Sequence, residues 1–143
     1  MPTDILDSLQ AIMYGAVGMT TVALARASAG ELTLSQWRAL VVIGRNDGVH
    51  VGDISSAVGM SLPSTSRLVR RLERRGLVST ARDEADRRAT LVRMTAAGKR
   101  LRNHVIDRRR DLMDAALAAN VRRLPKNLST GLAVIARALE AYE

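Results

Sequence analysis

Between positions 64 and 74, side chains that can donate hydrogen bonds to a polyanion recur at helical spacing. Ser64, Ser66, Arg67, Arg70, Arg71 and Arg74 fall on one side of a helix. The other side is the stripe Thr65, Leu68, Val69 and Leu72, at i, i+3, i+4 and i+7. A guanidinium presents a rigid fork of donors that matches phosphate oxygens and the O6 and N7 edge of guanine, and a serine hydroxyl donates to bases or phosphates. The chemistry is reversible recognition of nucleic acid rather than catalysis. His50 and His104 are isolated, with no partner at metal-ligand spacing, and neither a phosphate-cradling glycine loop nor a nucleophile elbow occurs. The chain is therefore expected not to be an enzyme and to have no catalytic residues, metal site or cofactor. Its lack of cysteine excludes disulfides, zinc–thiolate sites and thiol redox sensing.

Charge points the same way. The net charge of +8 arises from one block: residues 1–66 carry −2, residues 67–110 carry +10 and residues 111–143 are neutral. Such an asymmetry is the footprint of a polyanion-binding surface. Aromatic residues make up only 2% of the chain, whereas RNA and single-strand readers stack bases on aromatic rings, so double-stranded DNA is the expected partner. The alternative is a winged-helix protein-interaction module whose basic face meets an acidic protein surface.

The elements that must position these residues are legible from caps, breaks and periodicity. A length of 143 residues suits one domain with a real core. A first helix is expected over residues 4–27, broken at Ser28, Ala29 and Gly30; Thr33 caps a second that carries Trp37, Leu40, Val41 and Ile43 on one face. A short helix over residues 51–58 turns Val51, Ile54, Ala57 and Val58 inward, Gly59 makes a turn, and Ser61 caps the arginine-bearing helix, with Pro63 tolerated in its first turn. Two helices joined by a glycine turn, the second with an apolar back and a basic front, form a helix–turn–helix. Gly76 ends it, and runs at 77–82 and 88–94 read as a hairpin with basic residues near its tip, a wing.

Thr95 caps a long helix to about residue 120, with Leu101, Val105, Leu112 and Ala116 on one face. Pro125 opens the last helix, whose Leu128, Leu132, Ile135, Leu139 and Tyr142 step 4, 3, 4, 3, the spacing of a helix-pairing seam. The fold class is mainly α with a small two- or three-stranded β-wing. The 18 uncharged residues 8–25 approach the length of a membrane span. Gln10, Thr20, Thr21, Gly15 and Gly18 dilute that stretch, and Asp4 and Asp7 stand where a secretory signal would be positive, so it reads as a buried helix with no membrane partner.

Four stretches together resemble the MarR family of bacterial regulators. Leu34-Ser35-Gln36-Trp37-Arg38-Ala39-Leu40 is similar to the start of its second helix, and Arg71-Leu72-Glu73-Arg74-Arg75-Gly76-Leu77-Val78 to the end of its recognition helix. Asp86-Arg87-Arg88 resembles its wing motif, and Thr95-Ala96-Ala97-Gly98 the opening of its fifth helix. They occur in order, and the likeness covers nearly the whole chain. It implies one MarR-type domain over 1–143, with a DNA-binding lobe at 34–94 and dimerisation helices at 1–28 and 96–143, acting in the cytoplasm as a homodimer on one DNA duplex.

The recognition-helix residues would then enter the major groove, with Arg74 and Arg75 near the helix end left to phosphates. Arg87 and Arg88 lie at the wing, where Arg88 would enter the minor groove. Asp86, repelled by phosphate, would hold a neighbouring arginine through a charge-assisted pair. Two equivalent lobes ask for a pseudo-palindrome with half-sites roughly 34–36 Å apart. Repression is the family's commoner habit, and several members answer a small-molecule effector. Tyr14, Trp37 and Met113 are candidates to line such a pocket, although large residues at helical spacing also serve as plain core. The chain departs from the family in lacking both the cysteine of its peroxide-sensing members and any phenylalanine, so oxidation sensing is not expected and an aromatic-lined pocket would be sparse.

Overall fold

The computed structural model describes residues 3–27 and 32–140. In chain order the elements are α1 (Thr3–Ala27), α2 (Leu34–Gly44), β1 (Val49–His50), α3 (Val51–Val58), α4 (Leu62–Arg74), β2 (Val78–Arg82), β3 (Thr90–Met94), α5 (Ala96–Ala118) and α6 (Leu128–Leu139).

Local chemistry fixes the helix starts. Thr33 Oγ1 accepts the Gln36 N–H at 3.2 Å while Gln36 Oε1 accepts the Thr33 N–H at 2.9 Å, a reciprocal box that satisfies two donors at the start of α2. Ser61 and Thr95 cap α4 and α5 in the same extended conformation, accepting from Ser64 and Gly98. The three strands form an antiparallel sheet in the order β1-β3-β2, pairing Val49 with Val92 and Thr80 with Val92. Alternation along the strands turns Val78 and Val92 inward and leaves Ser79 and Arg93 outside. The core lies where these elements converge, with Leu40, Ile43, Ile54, Leu72, Val92 and Val105 almost wholly buried.

Three expectations are corrected. The return strand begins at Thr90 rather than at position 88, because the Asp83 N–H bonds to the Ala89 carbonyl and the Ala89 N–H to that of Asp86, which closes residues 83–89 into a turn. Pro125 does not open α6: its carbonyl accepts the Leu128 N–H in a turn, and the helix starts at Leu128. The third concerns α1, expected to be buried. Only Thr20, Ala23 and Leu24 are buried, while Ile5, Leu6, Ile12, Met13, Tyr14 and Val17 are exposed. The helix packs mainly on α5, and among the described residues nothing buries its N-terminal half. By length and composition Asp4–Ala27 is also apolar enough to cross a membrane.

The seam of α6 is similarly open, with Leu128 and Ile135 half-buried and Leu132 and Leu139 exposed. Tyr142 and the break at Ser28, Ala29 and Gly30 lie outside the described residues.

One close approach carries a prediction. A Cβ on Gly98 would strike the Leu77 carbonyl oxygen and come within 2.8 Å of Met94 Cγ. Because the first obstacle is backbone, it cannot swing aside. Gly98→Ala gains about 1 kcal/mol of helix propensity but overpacks the α5–wing junction, so a net loss of about 1–2 kcal/mol is expected in urea unfolding.

Candidate nucleic-acid interface

The helix–turn–helix is built by α3 and α4. Gly59 joins them in the left-handed conformation (φ 66), and the Ser55 hydroxyl donates to the Met60 carbonyl at 2.6 Å, locking the turn. Thr65, Leu68, Val69 and Leu72 anchor the buried side of α4. That orientation leaves Arg67, Arg70, Arg71 and Arg74 exposed on the opposite side, with Ser64 and Ser66 half-buried beside them.

Arg67, Arg70, Arg71 and Arg74 line one shallow hollow together with Glu73. Arg67 Nη2 donates to Ser64 Oγ at 3.0 Å, and Ser61 Oγ donates to the same atom at 3.0 Å, so the N-terminal turn of α4 forms a connected polar surface. Glu73 is the one carboxylate in the hollow, and it has a structural task. Its Oε1 accepts both the N–H and the hydroxyl of Thr80, at 3.0 and 2.6 Å, tying β2 to α4.

The wing is held from three sides. Thr95 Oγ1 donates to the Gly76 carbonyl at 2.6 Å, Arg93 Nε to the Asp47 carbonyl at 3.2 Å, and His50 Nε2 bonds to Asp83 Oδ2 at 2.6 Å. At the tip Arg87 and Arg88 are exposed. Asp86 was expected to hold an arginine by its guanidinium. It instead accepts the Arg88 main-chain N–H at Oδ1, 3.0 Å away, because a side chain two residues upstream in a tight turn reaches the backbone first. Arg88 is thus aimed by its backbone, and its guanidinium remains available for a partner.

Of the pocket candidates, Trp37 is buried and borders two hollows, one between α1 and α2 and one between α2 and α5. Tyr14 and Met113 are exposed and line neither.

Two anchors had no signal in the sequence. The pairing of His50 with Asp83 spans 33 residues and that of Glu73 with Thr80 joins two different elements, so only the folded topology reveals them. The Ala85 N–H and then His50 stabilise the Asp83 carboxylate and hold its pKa below the ordinary value of 3.8. A depressed carboxylate pKa means that this hold is complete above the unfolded value and is lost as pH falls through the folded one. Acidification through that window is expected to lower the amide protection factor at Ala85 while α4 stays protected, and Asp83→Asn should remove the step.

A basic helix seated on an apolar core beside an arginine-tipped hairpin defines a winged helix–turn–helix DNA-binding protein. Over residues 31–89 the chain matches the sequence model of the MarR family, and the curated relatives it matches are HTH-type transcriptional regulators. It is 26% identical over 110 residues to the HTH-type transcriptional regulator YfiV of Bacillus subtilis, spanning 77% of this chain and 69% of that one. Its fold superposes on the crystal structure of RV1404 from Mycobacterium tuberculosis with a TM-score of 0.83, at 21% identity, over 94% of this chain and 90% of the other. The crystal structure of CouR from Rhodococcus jostii RHA1 bound to p-coumaroyl-CoA matches with a TM-score of 0.68, at 25% identity, over 96% and 92% of the two chains.

Proposed function

We propose that this protein is a repressor that binds a pseudo-palindromic operator in double-stranded DNA as a homodimer and is released by a small-molecule effector. The observation that carries the reading is the exposed basic face of α4, continued at the wing tip by Arg87 and Arg88. Within a single domain over 1–143, the lobe at 34–94 reads DNA, and the terminal helices at 1–28 and 96–143 pair two copies. Ser64, Ser66, Arg67, Arg70 and Arg71 enter the major groove, Arg74 contacts phosphate, and Arg88, aimed by Asp86, reaches the minor groove.

The exposed apolar residues of α1 and α6 support pairing, since clustered exposed apolar side chains mark interaction surfaces. The same pairing accounts for α1 without a membrane and suits a cytoplasmic protein working on the nucleoid. Two copies on a two-fold site would cover a promoter and exclude polymerase, so repression is the proposed sign. The ligand-bound CouR structure supports an effector here as well, with release following if the ligand favours a lobe spacing that misfits the operator. A reporter driven by the DNA upstream of this gene tests the reading. Its output should fall when the protein is supplied and recover with Arg70→Ala; output that rises, or does not change, would overturn repression.

A further inference from the structure

Thr90 opens β3 at the base of the wing tip, and its hydroxyl takes no part in holding the fold. The residue is exposed, and among the described residues its hydroxyl donates to no acceptor, whereas those of Thr80 and Thr95 are engaged by Glu73 and the Gly76 carbonyl. The surrounding backbone is open as well. β1 pairs with β3 only at Val92 and Leu91, so Thr90 projects past the end of β1 and has Arg82 of β2 directly opposite.

The approach to this hydroxyl is basic. Arg87 and Arg88 stand three and two positions ahead of Thr90, both exposed, and the apolar Leu91 follows it. A protein kinase whose peptide groove is lined by carboxylates selects an acceptor hydroxyl by such a preceding pair of arginines, because each guanidinium forms a charge-assisted pair in the groove. That groove takes its substrate in an extended form. The turn ahead of Thr90 is suited to open: it is closed by two main-chain bonds, from the Asp83 N–H to the Ala89 carbonyl and from the Ala89 N–H to the Asp86 carbonyl, and residues 84–88 are exposed throughout.

We propose that Thr90 accepts a phosphoryl group from a serine/threonine kinase with an acidic peptide groove, and that this modification releases the protein from DNA. The Thr90 hydroxyl gives its proton to the base of the kinase, Oγ1 bonds to the γ-phosphorus of ATP, the bond from that phosphorus to the β–γ bridging oxygen breaks, and ADP leaves. Residues 82–90 hold three arginines and three carboxylates, so the wing tip is electrically neutral. A phosphate adds about −1.5 to −2 charges at neutral pH and turns the tip negative where it would face a polyanion. It also sets acceptor oxygens beside Arg82, its cross-strand neighbour, and close to Arg88, drawing back onto the hairpin the guanidinium that would enter the groove. The acceptor site stands on these residues alone; its regulatory consequence rests on the DNA-binding reading above.

The full chain is incubated with ATP and the catalytic subunit of the cyclic-AMP-dependent protein kinase, a kinase with an acidic groove, and the product is mapped by mass spectrometry beside Thr90→Val and Arg87→Gln. Valine is β-branched like threonine and suits an exposed strand position, so the first variant keeps the fold. The expected result is phosphate on Thr90, transferred about tenfold or more slowly in Arg87→Gln. Fluorescence anisotropy with the duplex from upstream of the gene should then show the phosphorylated chain bound about tenfold or more weakly, while kinase-treated Thr90→Val binds as the untreated chain does. The proposal is overturned if Thr90 stays unmodified, if Arg87→Gln takes phosphate as fast as the unaltered chain, or if phosphorylation leaves duplex affinity unchanged. A chain that accepts phosphate on Thr90 but, untreated, binds no duplex supports the acceptor site and removes the repressor reading instead.

Discussion

Ile12→Asp is expected to leave the chain folded, convert it to a monomer and weaken its grip on duplex DNA by about 10²–10⁴-fold. Ile12 is 56% exposed within the single chain, so its replacement disturbs no contact in the core. It belongs to an apolar face of α1 that includes Ile5, Leu6, Met13 and Val17, near-uncharged and exposed in the single chain. On α6, Leu132, Val134 and Leu139 are open as well, and among the described residues that helix has no extensive contact with another element. A second copy would bury these faces, and a carboxylate placed there would lose its hydration without gaining a partner. Once pairing fails, the second lobe no longer benefits from the high effective concentration set by the first, which is where the predicted loss arises. Sedimentation should show a monomer, circular dichroism an unchanged helix content, and fluorescence anisotropy the weaker binding.

Leu72→Ala should act by the opposite route. Leu72 is fully buried on the inner side of α4, in the cluster with Leu40, Ile43, Ile54 and Val92. Truncating it leaves a cavity among α4 and its neighbours, at a cost of about 2–5 kcal/mol. That is a large share of the roughly 5–15 kcal/mol that hold an ordinary domain together. Thermal unfolding should shift down by many degrees, and DNA binding should fail with the fold. Arg70→Ala, whose side chain is exposed, should lower affinity with no change in melting temperature.

The helix–turn–helix was legible in the sequence because each of its parts is specified locally. Ser61 supplies a cap, Gly59 a left-handed turn, and Thr65, Leu68, Val69 and Leu72 a stripe that admits one orientation of the arginines. The wing was legible in outline only. Its strand limits depend on hydrogen bonds within residues 83–89, and its attachment depends on His50, Glu73 and Thr80, which meet only after folding. The reading of α1 as buried failed for a different reason: apolar composition says that a face needs covering, not whether the cover comes from the same chain.

The most direct test of DNA recognition titrates the protein against a labelled duplex from just upstream of its gene and against a scrambled duplex, at several salt concentrations, with Arg70→Ala and Arg88→Ala alongside. The native duplex should bind about 10³-fold or more tightly than the scrambled one, with log K falling linearly in log salt. Arg70→Ala should cost about 1–3 kcal/mol if it reads a base, and Arg88→Ala should weaken binding through the wing. Equal, weak binding of both duplexes, unchanged in the two variants, would contradict the recognition of this DNA by α4 and the wing.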